Sequence, residues 1–165
     1  MSDFFGDIVE QDEDTLSGRF LTFIIDRDTF GVEIKHVLEI IGIQPITEVP
    51  ELPAYAKGII NIRGKIVPVI DLRIKFKKEP VPYDERTCII IVEIQDVTVG
   101  FIVDNIDEVI PIPPEDILPP PDYKTGFYNR YILGIGKVGD SVKLLVDCDK
   151  VLAEDELEEI KQINQ

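Results

Sequence analysis

The sequence is poor in the residues that usually carry catalysis and metal binding. Its 165 residues include one histidine, two cysteines, one methionine and no tryptophan. A Ser-His-Asp triad would have to use His36, and none of the three serines stands in a nucleophile motif. Cys88 and Cys148 lack CxxC spacing, which predicts buried thiols in a reducing compartment. We therefore expect no catalytic residue, no cofactor and no metal.

Long apolar runs are missing as well. No stretch of 18 or more apolar residues occurs, and the first residues are acidic where a signal peptide would be basic. The net charge of −15 is concentrated at the ends, since residues 1–16 hold six acids and no base. Nucleic-acid phosphates would repel such a chain. These features predict a cytoplasmic protein without direct membrane insertion and without a nucleic-acid partner.

β-Branched residues dominate what is present. The chain has 27 Ile and 16 Val against 11 Leu and 3 Ala. Two heavy atoms on Cβ restrict rotamers in a helix but fit a pleated surface, so this ratio predicts a mainly β protein. Twelve prolines and eleven glycines supply the turns.

The stretch from Gly58 to Lys78 contains the clearest local signal. Its sequence GIINIRGKIVPVIDLRIKFKK has two apolar runs around a polar, glycine-containing turn, which is typical of a β-hairpin. We expect Gly64 to have a positive φ and Arg63 to project from the tip. A planar guanidinium there is available to a partner, although a solvated turn charge is the alternative.

A repeat links the two halves of the sequence. TFGVEIKHVLEIIGI and TVGFIVDNIDEVIPI match at a constant offset of 69, and LGIGKVGDSVKLLVD matches the central hairpin at an offset of 76. Two units of about five strands each follow, at residues 18–82 and 83–148. Short strands with many turns usually close into barrels, because closure removes exposed edges.

The two ends differ from the repeat. Residues 1–17 have six carboxylates and no sustained apolar period, which predicts a mobile acidic tail. Residues 149–165 carry Leu157 and Ile160 at helical spacing, with acids in the first turns. This pattern predicts a C-terminal helix with one apolar face.

Acidic pairs keep a second function class open. Asp104/Asp107 and Glu115/Asp116 could serve acid–base chemistry in a small β-barrel ligand-binding protein or hydrolase, although chance pairs are expected among 32 acids. A module for proline-rich peptides is a third possibility. It is the weaker one, because such sites need an aromatic groove and the chain has no tryptophan.

Four segments together resemble a known family, the CheW-like coupling proteins of bacterial chemotaxis. They are FGVEIKHVLEIIGI, PAYAKGIINIRGKIVPVIDLRIKF, VGFIVDNIDEVI with PPEDILPPPDY, and YILGIGKVGDSVKLLVDCDKVL, and the resemblance covers roughly residues 19–160. It implies a CheW-like domain at residues 18–150, made of two intertwined five-stranded SH3-like barrels with a hydrophobic seam. The C-terminal helix at residues 149–165 would follow.

The resemblance also implies a function. Such a protein would be a non-enzymatic adaptor that holds the histidine kinase CheA to the cytoplasmic tips of chemoreceptors, and would thereby be recruited to the inner face of the membrane. The receptor tip would lie in the groove between the barrels, and the regulatory domain of the kinase would bind mainly to the first barrel.

Matching positions give the implied binding residues. Those for receptor and kinase are Ile34, Val37, Glu39, Ile40, Gly58 and Arg63. A second contact, formed in rings of kinase and adaptor, would fall near Leu118 and Tyr123. The predicted topology places Glu39 beside Arg63, where a carboxylate could form a bidentate pair with the guanidinium.

Overall fold

The computed structural model describes residues 18–120 and 130–164. The predicted tail at residues 1–17 and the implied contact residue Tyr123 lie outside these ranges. Within the described ranges, no helix is long and apolar enough to cross a membrane.

Strands make up most of the described chain. They are β1 (Arg19–Ile25), β2 (Asp28–Glu33), β3 (Val37–Gly42), β4 (Ala56–Ile62), β5 (Lys65–Asp71), β6 (Cys88–Ile94), β7 (Val97–Val103), β8 (Asn105–Pro111), β9 (Ile117–Leu118), β10 (Ile132–Val138) and β11 (Ser141–Val146). The helices are α1 (Leu72–Lys75), α2 (Cys148–Val151) and α3 (Glu154–Asn164), and 3-10 turns span Ile34–His36 and Pro114–Asp116.

Two sheets contain these strands. The six-stranded sheet has the order β8-β1-β2-β11-β10-β9, and the five-stranded sheet has the order β3-β6-β7-β5-β4. The predicted mainly β class with two β units is confirmed. The sixth strand, β9, is the difference from the predicted five. A Cβ on Gly134 would lie 2.9 Å from the carbonyl oxygen of Leu118, so glycine in β10 is what lets this two-residue strand approach.

The sheets are intertwined through their parallel pairs. In the six-stranded sheet, β1 and β2 lie between β8 and β11. In the five-stranded sheet, β6 and β7 lie between β3 and β5. Gly31 lies opposite Leu145 in one sheet, and Gly100 lies opposite Val69 in the other. Gly100 follows Gly31 by 69 residues and Leu145 follows Val69 by 76, which are the two offsets of the sequence repeat. The sequence repeat is therefore also a structural repeat. The boundary near residue 82 stays a prediction about the sequence units, since each sheet draws strands from both sides of it.

A hydrophobic seam lies between the sheets. The largest buried cluster combines Phe23 and Phe30 from the six-stranded sheet with Ile70, Ile90 and Phe101 from the five-stranded sheet. Smaller clusters fill each barrel, and among them are Ile60, Val67 and Ile91 in the five-stranded one and Phe20, Ile112 and Leu145 in the six-stranded one. Removal of this apolar surface from water is the main source of stability.

The repeat extends to the ends of the hairpins. The side chain of Asp71 accepts a hydrogen bond from a backbone amide of α1 at 2.9 Å, and that of Asp147 accepts one from α2 at 3.0 Å. The backbone amides of these aspartates donate to the carbonyls of Tyr55 and Tyr131, both at 2.8 Å. Each hairpin therefore ends in the same capped helical turn.

The C-terminal helical region is divided into two helices, where the sequence predicts one over residues 149–165. Leu152 is extended and buried, which ends α2. The amide of Ala153 donates to Glu156 Oε1 at 2.7 Å, an arrangement that begins a new helix. Leu157 and Ile160 of α3 are buried in the seam cluster, so the predicted apolar face is confirmed.

Candidate functional site

The tip of the hairpin formed by β4 and β5 is a two-residue turn. Arg63 has a φ of 49° and Gly64 a φ of 86°, which is the type I′ geometry favoured in two-residue hairpins. The amide of Gly64 donates to Asn61 Oδ1 at 2.8 Å, which stabilises the turn. The predicted positive φ of Gly64 is confirmed, and the turn projects Arg63 from the sheet.

Arg63 forms a bidentate ion pair with Glu39 of β3. Nη1 donates to Oε1 at 3.0 Å, and Nη2 donates to Oε2. The Arg63 side chain is 74% exposed, and that of Glu39 is 29% exposed. The hydrogen bond from Arg63 lowers the pKa of Glu39 and outweighs the opposing effect of burial, while the same bond raises the pKa of Arg63. The pair remains charged near neutral pH.

A cavity of about 370 Å³ opens beside this ion pair. Val67 and Ile91 are buried residues in its lining, and Leu38 and Ile62 add apolar surface. Lys65 also lines it and donates from Nζ to Thr98 Oγ1 at 3.0 Å. We call this cavity, together with the pair of Glu39 and Arg63, the hairpin groove. It offers apolar surface beside fixed charges, which suits a protein or peptide partner.

Leu38 and Lys65 were not among the residues implied by the sequence. A bulge between Val37 and Glu39 interrupts the pairing of β3 with β6 and leaves Leu38 45% exposed. Strict alternation of strand residues cannot predict such a bulge. Lys65 follows the predicted turn directly, so its position at the groove could have been inferred from the hairpin.

Ile34 and Val37 are buried, and their side chains pack in the seam cluster. Ile40 is half-buried against the same cluster. The contact expected for Ile34 and Val37 stays a prediction, and their side chains are packed in the core of the unbound chain.

Gly58 is also buried, and its part is structural. It has a φ of 142°, and a Cβ at this position would lie 2.1 Å from the carbonyl oxygen of Thr47. Thr47 forms reciprocal backbone hydrogen bonds of 2.9 Å with Ile59. Glycine thus allows the segment after β3 to lie against β4. Of the six implied residues, the structure brings Glu39 and Arg63 together.

Leu118 lies on a separate apolar surface. It is 45% exposed and opposite Ile135 of β10, which is in turn opposite Leu144 of β11. Directly opposed residues share one face of a sheet, and Val142 lies two positions before Leu144 on that face. We call these four residues the outer patch; Leu118 and Val142 are exposed, whereas Ile135 and Leu144 are half-buried and Leu144 packs against the seam cluster. Exposed apolar surface of this kind often marks an interaction site.

The carboxylates of the acidic pair Asp104/Asp107 have structural partners. Asp104 accepts from Arg73 Nη1 at 2.7 Å, and Arg73 is 10% exposed, so this carboxylate balances a buried charge. Asp107 lies 3.6 Å from Lys143 and accepts from Thr22. No group of three or more His, Cys, Asp or Glu among the described residues could hold a metal ion. The hydrolase alternative is therefore not favoured.

The two joined barrels, the charged hairpin groove and the outer patch define a class of β-barrel interaction protein. The model of the CheW-like domain matches residues 19–156, which is most of the chain. The chain belongs to the CheW-like family. It is a non-enzymatic protein of the chemotaxis scaffold type.

Individual relatives agree with this assignment. The chemotaxis protein CheW of Klebsiella aerogenes is 35% identical over 144 residues, which cover 87% of each chain. The chemotaxis protein CheW of Helicobacter pylori is 33% identical over 146 residues, covering 88% of this chain and 87% of that one. The crystal structure of the scaffolding protein TtCheW from Thermoanaerobacter tengcongensis has a TM-score of 0.78 and 34% identity, and the match covers 84% of this chain and 94% of that chain.

Proposed function

We propose that this protein couples the cytoplasmic tips of transmembrane chemoreceptors to the histidine kinase CheA, and so permits receptors to control kinase activity. It would act in the cytoplasm and be held at the inner face of the membrane through the receptors. Membership of the CheW-like family over residues 19–156 supports this proposal. The observation that carries it is the bidentate pair of Glu39 and Arg63 beside the apolar hairpin groove.

The energetics of this ion pair favour a binding role. An exposed pair contributes only ~0–1 kcal/mol to folding, so the fold does not depend on it. A helical partner that covers the pair would remove it from water. Loss of one member of such a buried, hydrogen-bonded pair then costs roughly 2–5 kcal/mol of binding. The hairpin groove is thus better suited to recognition than to stability.

We assign the kinase and the ring contact to different surfaces. The regulatory domain of the kinase, itself CheW-like, binds mainly to the barrel formed by the five-stranded sheet. The second contact in kinase-adaptor rings involves the outer patch around Leu118, together with Tyr123. Leu118 and Val142 are large apolar side chains exposed on that face, which supports a protein contact there.

Reconstitution tests the proposal. Receptor-containing membranes, purified CheA and this protein are mixed, pelleted and assayed for kinase autophosphorylation. We expect CheA to sediment with the membranes and to become receptor-controlled only when the adaptor is present. An adaptor carrying Arg27→Glu, an exposed charge in the turn between β1 and β2 and outside both the hairpin groove and the outer patch, serves as the control variant. Sedimentation of CheA that is independent of the adaptor would refute the coupling role.

A further inference from the structure

A basic pocket lies beside the C-terminal helices and is not part of the hairpin groove or the outer patch. It has a volume of about 470 Å³. Its charged lining consists of Lys75, Lys77, Arg130, Lys150, Asp155 and Glu156, which is a net charge of +2. The whole chain has a net charge of −15, so this local positive charge is unusual for the molecule.

One of the four cations is already used by the fold. Lys75 is 7% exposed, and its Nζ donates to both carboxylate oxygens of Glu156, at 2.8 and 2.7 Å. The same Nζ lies 4.1 Å from the ring centroid of Tyr55 and 5.8 Å from that of Tyr131. Lys75 therefore belongs to the packing of α3, and its ammonium group lies over the ring of Tyr55, which lines the pocket.

The other three cations are available to a ligand. Lys77, Arg130 and Lys150 are exposed, and no ion pair or hydrogen bond involves their side chains within residues 18–120 and 130–164. Like charges gathered at one pocket repel each other and attract an anionic group. An acidic segment would complement these three cations.

We propose that residues 1–17 of the same chain bind in this pocket. This segment has six carboxylates and no base, and Asp3 and Asp7 flank the two aromatic residues Phe4 and Phe5. The proposal goes beyond the coupling function and does not depend on it.

The point at which residues 1–17 join the domain favours this site. Phe20, at the start of β1, lies opposite Glu33 of β2. β2 runs parallel to β11 with Gly31 opposite Leu145, so Glu33 lies near Asp147, which precedes α2. Lys150 of the pocket lies within α2. Seventeen extended residues span up to about 55–60 Å, far more than the radius of gyration of about 15 Å expected for a domain of this size.

Tethering compensates for weak contacts. Individual exposed ion pairs are weak and are screened by salt. A segment joined to the domain by a short flexible linker has an effective concentration on the order of mM, so a dissociation constant of that size already gives substantial occupancy. The bound population should fall steeply as ionic strength rises.

NMR on the full-length chain tests the inference. The amide shifts of residues 3–16 are compared between the native chain and the triple variant Lys77→Gln/Arg130→Gln/Lys150→Gln, at about 20 mM and about 500 mM salt. We expect the variant at low salt to reproduce the high-salt shifts of the native chain. A matched triple variant, Arg27→Gln/Arg86→Gln/Lys137→Gln, removes three exposed cations elsewhere and should leave the shifts unchanged.

A reciprocal measurement locates the contact. The variant Asp3→Asn/Asp7→Asn should move the resonances of Lys77, Arg130 and Lys150 toward their high-salt positions. Salt-independent shifts of residues 3–16, or equal effects of the two triple variants, would overturn the proposal. Shifts that depend on protein concentration would assign the occupant to a second copy of the chain and would also overturn the proposal.

Discussion

Arg63 and Glu39 face each other across the opening of the five-stranded barrel, joined by two hydrogen bonds between guanidinium and carboxylate. Glu39 lies on β3 and Arg63 at the end of β4, the two outer strands of that sheet. In the described sheet, β3 and β4 are not hydrogen-bonded neighbours. The ion pair therefore links the two edges of the sheet. It also holds the guanidinium at the rim of the hairpin groove.

Arg63→Glu is expected to weaken binding to a receptor-tip fragment at least tenfold, which corresponds to about 1.4 kcal/mol. The melting temperature should change by only a few degrees, because an exposed pair contributes ~0–1 kcal/mol to folding. Titration calorimetry with the fragment measures the first effect and thermal unfolding the second. Kinase binding should fall less.

The charge-swapped variant Glu39→Arg/Arg63→Glu controls for this result. It restores the ion pair but reverses the charges offered to a partner. We expect its melting temperature to match that of the native chain while receptor binding stays weak. Native affinity in Arg63→Glu, or loss of its fold, would show that Arg63 is only a solvated turn charge or a structural strut.

Leu118→Asp should disrupt the second ring contact without loss of stability. Leu118 and Leu38 are both 45% exposed, so Leu38→Asp is a matched substitution in the hairpin groove. Surface changes of this kind usually alter stability by less than ~0.5 kcal/mol. Electron cryotomography of reconstituted arrays should show lost ring closure for Leu118→Asp and for Tyr123→Ala. Leu38→Asp should instead reduce groove binding, and the reverse pattern would contradict the assignment of the two surfaces.

Gly58→Ala should lower the free energy of unfolding more than Gly64→Ala. Both residues have positive φ, but nothing lies within 4 Å of a Cβ on Gly64, whereas a Cβ on Gly58 would overlap the Thr47 carbonyl. Strain alone costs about 1–2 kcal/mol for Gly64→Ala. Overpacking adds ~1–3 kcal/mol for Gly58→Ala. Urea unfolding measures both, and equal losses would mean that the Thr47 segment moves away freely.

Asp71→Ala should destabilise more than Asp147→Ala, although the two residues are equivalent in the repeat. Both lose a helix cap, which costs ~0.5–2 kcal/mol. Asp71 is buried and also accepts from the Tyr83 hydroxyl at 2.8 Å. In Asp71→Ala the Tyr83 hydroxyl loses this partner, which lowers the free energy of unfolding by a further ~1–3 kcal/mol. The additional variant Tyr83→Phe should remove most of this difference in denaturant unfolding experiments.

Acid should weaken the attachment of α3 through Glu156. Burial raises the pKa of this carboxyl, but hydrogen bonds from Lys75, Tyr55 and the Ala153 amide lower it to below its ordinary value of 4.5. The unfolded chain therefore binds the proton more readily than the folded chain. The contribution of Glu156 is fully present above the unfolded pKa and is lost as pH falls through the folded pKa.

Glu156→Gln should thus show a shallower loss of unfolding free energy between about pH 5 and pH 2 than the native chain. Glu158→Gln, on the exposed side of the same helix, is the matched control and should retain the native slope. Identical slopes in all three proteins would show that the pair with Lys75 does not contribute to acid stability.

The sequence predicted those features that depend on local chemistry. Gly64 marked the turn, the two β-branched runs marked its strands, and the offset of 69 marked the repeat. The resemblance added the pair of Glu39 and Arg63, and the structure confirms its bidentate geometry. Each of these signals lies within one short segment or in the comparison of two such segments.

Features that depend on distant contacts were not predicted. The bulge at Leu38 arises from pairing with β6, and β9 depends on glycine in a strand that follows it in the chain. Burial of Ile34 and Val37 depends on the facing sheet, so their apolar character did not distinguish core from contact surface. The basic pocket combines residues from four separate parts of the sequence, so no single segment predicts it.

The parallel pairing of β2 with β11 has a consequence for synthesis on the ribosome. Gly31 pairs with Leu145, which is synthesised 114 residues later. The six-stranded barrel cannot form before that point. The five-stranded barrel needs only β3 to β7, which end at Val103. During translation the first hairpin is therefore made early, but its neighbour β8 ends only at Pro111 and its neighbour β11 only at Val146. Such long-range pairing slows folding and exposes apolar strands to aggregation, so this barrel is the part that most needs protection by chaperones.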